Sequence, residues 1–261
     1  MVVLGDPMAS ITDVTRPVGI RPNEALRVRD IELRFHGGRQ RPPLSTDDVI
    51  YVHKDAAFVA SINETLEYVR PKRMIEVGVL DGGSTVYWHH QYDLERLVAF
   101  DISVEAPHLT RYLERNKLTD TVRVHFGVAQ TDRKQLRAAI DGDFGNDLVD
   151  AVIDDASHEY AATRACFETV FPYLRPGGAY IIEDWAWGHN HKWPPAERAD
   201  MPLMSPVLSE LMLVCGHASA VIDKVEINRR FAVIWRGAAD LPKDRFCLSD
   251  HYVARGFAIA L

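Results

Sequence analysis

Two apolar runs in this chain end in carboxylates, and one helical stretch separates them. The run Val149–Asp154 closes on Asp154 and Asp155, and the run Ala179–Glu183 closes on Glu183 and Asp184. Between them Ala162, Ala165, Phe167, Val170 and Leu174 cluster on one side of a helical pattern, and Pro176-Gly177-Gly178 closes it. The reading is strand, helix, strand. In a parallel sheet the two strand ends lie side by side at the carboxyl edge, where open α/β sheets bind ligands. Asp155, Glu183 and Asp184 are therefore expected to converge, with His158 three residues past Asp155. Three acids in one mouth repel one another unless a cation sits among them. Their hard oxygens suit Mg²⁺, Ca²⁺ or Mn²⁺. Asp154, by strand alternation, points the other way and takes a structural role.

Upstream, Phe58, Ile62, Leu66 and Val69 recur at helical spacing from Asp55 to Pro71. A buried strand from Arg73 then runs into Gly78-Val79-Leu80-Asp81-Gly82-Gly83-Ser84, and a helix follows to Tyr92. Strand, glycine-rich turn and helix N-terminus build a nucleotide-type pocket, because free N–H groups at the helix start favour an anionic group. Leu80 stands where the dinucleotide fingerprint G-x-G-x-x-G needs its second glycine, which disfavours a dehydrogenase. The next strand, Leu97–Asp101, ends in an acid roughly 20 residues past the turn, the place from which a carboxylate accepts ribose hydroxyls.

The pattern continues with a helix near Pro107–Lys117, a strand at Thr121–Phe126 and a helix at Asp132–Ile140. After the opening unit come a loop with Trp185, Trp187 and Trp193, a helix near Ser205–Gly216, and a hairpin of Ala220–Ile227 with Arg230–Arg236. This predicts one α/β domain from 49 to 261, its parallel sheet closed by a late antiparallel pair. Residues 1–48 read as an irregular extension with a short strand near Ile31–Phe35, either a wrap or oligomer contact or a lid. The tryptophan loop is either an acceptor pocket or lid, or a packed surface segment.

The formal net charge of −7 comes with no basic stripe, which argues against a nucleic-acid partner. Cys166, Cys215 and Cys247 are odd in number and far apart, as expected of reduced thiols in a cytoplasmic protein. Nothing approaches the ~20 apolar residues of a membrane span, and no signal-peptide core is evident.

The stretch E-x-G-x-x-x-G-G-S from Glu76 to Ser84, with an acid ending the second strand, resembles the class I S-adenosylmethionine (SAM) methyltransferases over about Lys72 to Arg236. The fold implied is Rossmann-like, with a mostly parallel seven-stranded sheet and helices on both faces. By that resemblance Gly78 and Gly82 let the cofactor approach, and Ser84 holds the methionine carboxylate. Asp101 binds the ribose diol and Gln130 lies by the adenine. The blocks IDDASHEY, FPYLRPGG and IIEDW resemble the metal-dependent sugar O-methyltransferases of antibiotic and glycolipid biosynthesis, including the rhamnosyl enzymes. One departure is Ala156, where that group's D-D-G-S-H carries glycine.

The resemblance implies SAM and Mg²⁺ as cofactors, with Asp155, Glu183 and Asp184 as metal ligands. It also implies a small glycosylated acceptor and a homo-oligomer. A hydroxyl coordinated by a divalent ion loses its proton more readily, and His158 can take that proton. The same layout is similar to catechol O-methyltransferase, with His158 where that enzyme has lysine. A vicinal aromatic diol therefore stands as the alternative acceptor, and a non-catalytic metal-binding module as the alternative class.

Overall fold

In the computed structural model the described residues are 25–37, 43–198, 200–253 and 255. The irregular segment expected before residue 25 and the end of the tail lie outside them. A small sheet comes first: β1 (Ala25–Val28), β2 (Ile31–Phe35) and β3 (Val49–Val52). β2 pairs antiparallel with β1 and parallel with β3. The strand expected at Ile31–Phe35 is β2, and the boundary drawn after residue 48 falls inside this sheet. Neither β1 nor β3 shows in the sequence pattern, since each is only four residues long.

Helix α1 (Ala56–Val69) follows, capped by Asp55, whose Oδ1 accepts the Phe58 N–H at 2.8 Å. It ends on Arg70, in the left-handed region (φ 51°), just before Pro71. Its apolar side, Phe58, Ile62, Leu66 and Val69, shares a core with Ile31, Leu33 and Ile50 of the small sheet. Each such side chain, fully buried, stabilises by roughly 1.5–3 kcal/mol. That shared burial fastens the small sheet to the rest of the chain.

The remaining elements alternate. They are β4 (Arg73–Val77), α2 (Gly83–Tyr92), β5 (Arg96–Asp101), α3 (Pro107–Arg115), β6 (Val122–Phe126) and α4 (Arg133–Phe144). Then come β7 (Val149–Asp154), α5 (Tyr160–Val170), β8 (Leu174–Glu183), α6 (Pro195–Arg198), α7 (Ser205–His217), β9 (Ile222–Ile227) and β10 (Phe231–Arg236). The large sheet has seven strands in the order β6-β5-β4-β7-β8-β10-β9. The first five run parallel, and β10 lies antiparallel to both β8 and β9.

Alternate residues of each strand feed the two faces. Met74, Leu97, Ile153 and Ile181 face the core shared with α1, while Ile75, Val98, Val152 and Ile182 face the one under α5 and α7. Two expectations change. Pro176-Gly177-Gly178 lies within β8 rather than in a turn before it, and the β7–β8 register shift between Val149 and Ala151 accommodates it. Helix α4 runs past Ile140 to Phe144, because Phe144 supplies one more buried apolar contact.

Candidate active site

Successive strands step outward from β4 in one direction through β5 and β6, and in the other through β7 and β8. The carboxyl ends of β4 and β7 are thus the point where the order reverses, and a crevice opens there. The cavity at this point has a volume of about 690 Å³, of the size that holds a small-molecule ligand. Of the residues singled out in the sequence, Gly78, Ser84, Asp101, Gln130, Asp155, His158 and Asp184 line it. Gly82 and Glu183 do not.

The glycine turn is shaped by chain packing. Gly78 sits at φ 95°, and a Cβ there would overlap the Asp155 carbonyl. The Asp155 N–H donates to the Val77 carbonyl at 2.8 Å. Only glycine permits this backbone conformation together with so close a crossing of the β4 and β7 exits. Gly82, at φ 87°, lies against the Leu109 side chain of α3, so its tight approach is to a helix.

Asp101 is held by the same turn. Its Oδ2 accepts the N–H groups of Val79 (2.6 Å) and Leu80 (2.8 Å), and its Oδ1 accepts that of Ser103 (2.7 Å). Partial burial pushes its pKa up, but these donors outweigh that and hold the carboxyl below its ordinary value. It is an anion at the cavity wall with lone pairs remaining on both oxygens. Ser84 stands in the first turn of α2, where the N–H groups have no intrahelical partner. Beneath it lies Glu76, buried, accepting the Thr85 hydroxyl at 2.6 Å.

Gln130 has both ends of its amide engaged. Nε2 donates to Asp154 Oδ1 at 2.7 Å, and Oε1 accepts the Ser157 hydroxyl at 2.6 Å. Asp154 also accepts the Tyr180 hydroxyl at 2.8 Å. Its structural role, facing away from the acids, is as strand alternation predicts. Burial raises its pKa to about 7.

At the cluster itself, ligand atoms of Asp155, His158 and Asp184 all lie within 4.8 Å of one another. His158 Nε2 is 3.8 Å from Asp155 Oδ1, and its ring lies 5.6 Å from that of Trp187. Both His158 (φ 56°) and Asp184 (φ 52°) occupy the left-handed region. The same conformation occurs at helix ends such as Arg70 and Asp93; at His158 and Asp184 it sets two side chains on the wall of one cavity. Glu183 is wholly buried beside this group; its Oε2 accepts from Lys54 Nζ at 2.8 Å, and its Oε1 has no hydrogen-bond partner. Lys54 also donates to Asp155.

Burial opposes the Lys54 charge, but the two carboxylates outweigh it and raise its pKa. Burial, with Asp155 close by, raises the pKa values of Glu183 and Asp184. Two carboxylates at one point, with a buried carboxylate oxygen lacking a partner alongside, fit a divalent cation of the Mg²⁺ or Mn²⁺ kind, and the imidazole of His158 stands within reach as a base.

Lys54 is the residue that sequence reasoning missed. It carries no motif, and the only signal available was the rule that buried acids require a cation. The tryptophan loop divides: Trp187 lies beside His158, whereas Trp185 donates its indole N–H to the Asn228 carbonyl at 2.8 Å.

Residues 75–185 match the family model described as a methyltransferase domain. That stretch spans β4 through the end of β8 and holds both the glycine turn and the acids. The fold is that of a class I methyltransferase. The methyltransferase from the mycinamycin biosynthetic pathway, solved with Mg, SAH and mycinamycin VI, superposes with a TM-score of 0.53 at 23% identity. The match covers 76% of this chain and 52% of that one.

Two curated relatives come from Streptomyces olivaceus. One is 8-demethyl-8-alpha-L-rhamnosyl tetracenomycin-C 2'-O-methyltransferase, 32% identical over 138 residues, covering 50% of this chain and 32% of the relative. The other is the corresponding 2-methoxy-rhamnosyl 3'-O-methyltransferase, 31% identical over 193 residues, covering 64% of this chain and 45% of the relative. The chain thus spans less than half the length of these two relatives. Among the described residues of this methyltransferase fold, no helix is long and apolar enough to cross a membrane.

Proposed function

We propose that this chain is a SAM- and Mg²⁺-dependent O-methyltransferase acting on a hydroxyl of a deoxysugar, L-rhamnose above all, carried by a small glycosylated natural product. The observation that carries the reading is the convergence of Asp155, His158 and Asp184 on the wall of the cavity that the glycine turn and Asp101 also line. Two relatives named for methylating rhamnosyl hydroxyls support the choice of acceptor. The resemblance supports a homo-oligomeric assembly as well.

In this proposal the start of α2 and Ser84 receive the methionine carboxylate, and Asp101 accepts from the ribose diol. Gly78 keeps the turn close to Asp155, so cofactor and acid cluster share one cavity. Gln130 holds Ser157, and thereby the loop between Asp155 and His158. Asp155 and Asp184 bind the divalent ion, with Glu183 beside them. When bound, such an ion would lower the pKa of an acceptor hydroxyl. His158 removes the hydroxyl proton at Nε2, and its ring is steadied by Trp187. The remaining contribution is orientation: the acceptor oxygen is held in line with the sulfonium methyl while water is displaced from the cavity.

The test is methylation of an acceptor panel by the purified chain. A rhamnosylated polyketide should be turned over, and His158→Ala should slow turnover by about 10²–10⁴-fold. Activity on catechols alone would end the sugar assignment, and no transfer to any acceptor would favour a non-catalytic module.

A further inference from the structure

Lys54 comes from the exit of the small N-terminal sheet, two residues past β3 and one before the α1 cap. It is far in sequence from both of its partners. Its side chain is 5% exposed, and its ammonium reaches Glu183 at 2.8 Å and also contacts Asp155. Those two acids end the neighbouring strands β8 and β7, so Lys54 spans the carboxyl edge where the cluster sits. Asp155, Glu183 and Asp184 bring three formal negative charges and Lys54 one positive. The cluster thus keeps an excess of acid that a divalent cation would offset. Arg230, which also acts on Asp184, is engaged with Asp55.

An ammonium in contact with two of the acids does two things. Before the ion arrives, it offsets a repulsion that the buried site would otherwise hold uncompensated. Once the ion is present, it is a like charge only a few ångströms away.

We propose that Lys54 is a positioning residue, an internal counter-cation that holds Asp155 and Glu183 together in the metal-free protein and moderates the affinity of the site for a divalent ion. The proposal rests on the metal-dependent reading above, and its test separates the two.

Wild type, Lys54→Met and the double variant Lys54→Met/Glu183→Gln are compared for Tm in chelator and in saturating Mg²⁺, and for Mn²⁺ affinity by calorimetry. Lys54→Met should melt several degrees below wild type in chelator and regain most of that loss in Mg²⁺. It should bind Mn²⁺ about tenfold more tightly than wild type, since a nearby positive charge has gone. The double variant loses one charge of each sign, so it should show a near-wild-type Tm in chelator.

An equal Tm loss in both buffers, or Mn²⁺ affinity unchanged or weakened in Lys54→Met, would overturn the proposal. If Lys54→Met folds in neither buffer, the double variant decides: folding with a near-wild-type Tm in chelator supports the role, and failure to fold there refutes it. A wild type that shows neither a Mg²⁺-dependent rise in Tm nor Mn²⁺ binding would remove the metal reading and this proposal together. A normal wild-type response with unaltered variants would remove only Lys54.

Discussion

Gln130 donates through Nε2 to Oδ1 of Asp154 at 2.7 Å, joining the loop after β6 to the end of β7. The other end of the same amide accepts from Ser157, between Asp155 and His158. A side chain expected to lie by the adenine is therefore also the strut of the acid-bearing loop. Replacing it with leucine leaves a buried carboxyl without one partner and frees Ser157. Gln130→Leu should lose about 1–3 kcal/mol of stability, read as a lowered urea midpoint at unchanged slope. Its Mg²⁺ affinity should fall as well. Unaltered metal binding in a folded Gln130→Leu protein would limit the residue to the cofactor side of the cavity.

Gly78 is the second strut. Its positive φ and the Asp155 carbonyl against it leave no room for a methyl group. Gly78→Ala should destabilise the domain by about 2 kcal/mol or more, from backbone strain and overpacking together. The loss should come with weakened metal binding, because the displaced atom belongs to Asp155, a proposed metal ligand. A fully stable alanine variant would show that the two strand exits can separate at little cost.

Asp101 carries the cofactor expectation. Removal of a carboxylate that makes charge-assisted bonds costs about 1.5–3 kcal/mol, or roughly 10–100-fold in affinity. Asp101→Ala should weaken SAM binding in calorimetry by that factor and leave acceptor binding far less changed. Because Asp101 also ties down the Val79 and Leu80 N–H groups, the variant should melt lower than wild type. Unchanged SAM affinity with lowered stability would reduce Asp101 to a brace for the turn.

Glu76 gives a pH signature. Burial raises its pKa from 4.5 to about 7, despite the hydroxyls of Ser84 and Thr85 that favour its charge. A carboxyl with a folded pKa above its unfolded one contributes stability that is fully present below the unfolded pKa. That contribution is lost as pH rises through the folded pKa. Relative to Glu76→Gln, wild type should therefore lose about 3 kcal/mol between pH 4.5 and pH 7. Denaturant unfolding of both proteins across that range measures it, and a constant difference would contradict the buried, proton-holding state of Glu76.

Much of this was legible in the sequence because the informative residues obey local rules. Strands β4, β5, β7 and β8 are mainly apolar runs and β6 alternates, and Asp155, Asp184 and Asp101 stand at or just past strand ends, where alternation and chain direction fix their side of the sheet. His158 follows by its distance from Asp155. Other features depend on pairings that no local rule encodes. Strands β1 and β3 are short and find their places by pairing with β2 and by joining the core shared with α1 and α2. Lys54 meets Asp155 and Glu183 across more than a hundred residues of chain. The same long-range contact places Glu183 on Lys54, leaving Asp155, His158 and Asp184 as the residues whose donor atoms gather most closely. Gln130 was recognisable as a cavity residue, but its strut role needs the β6 and β7 exits to be neighbours of the same crevice.

The central claim is that this acid cluster holds a divalent ion on which methyl transfer depends. The most direct measurement follows the labelled methyl group from SAM to a rhamnosylated acceptor in Mg²⁺ and in excess chelator, with SAM affinity measured in both. Transfer should proceed in Mg²⁺ and stop in chelator, with SAM binding largely unchanged between them. Full transfer in excess chelator would contradict the claim.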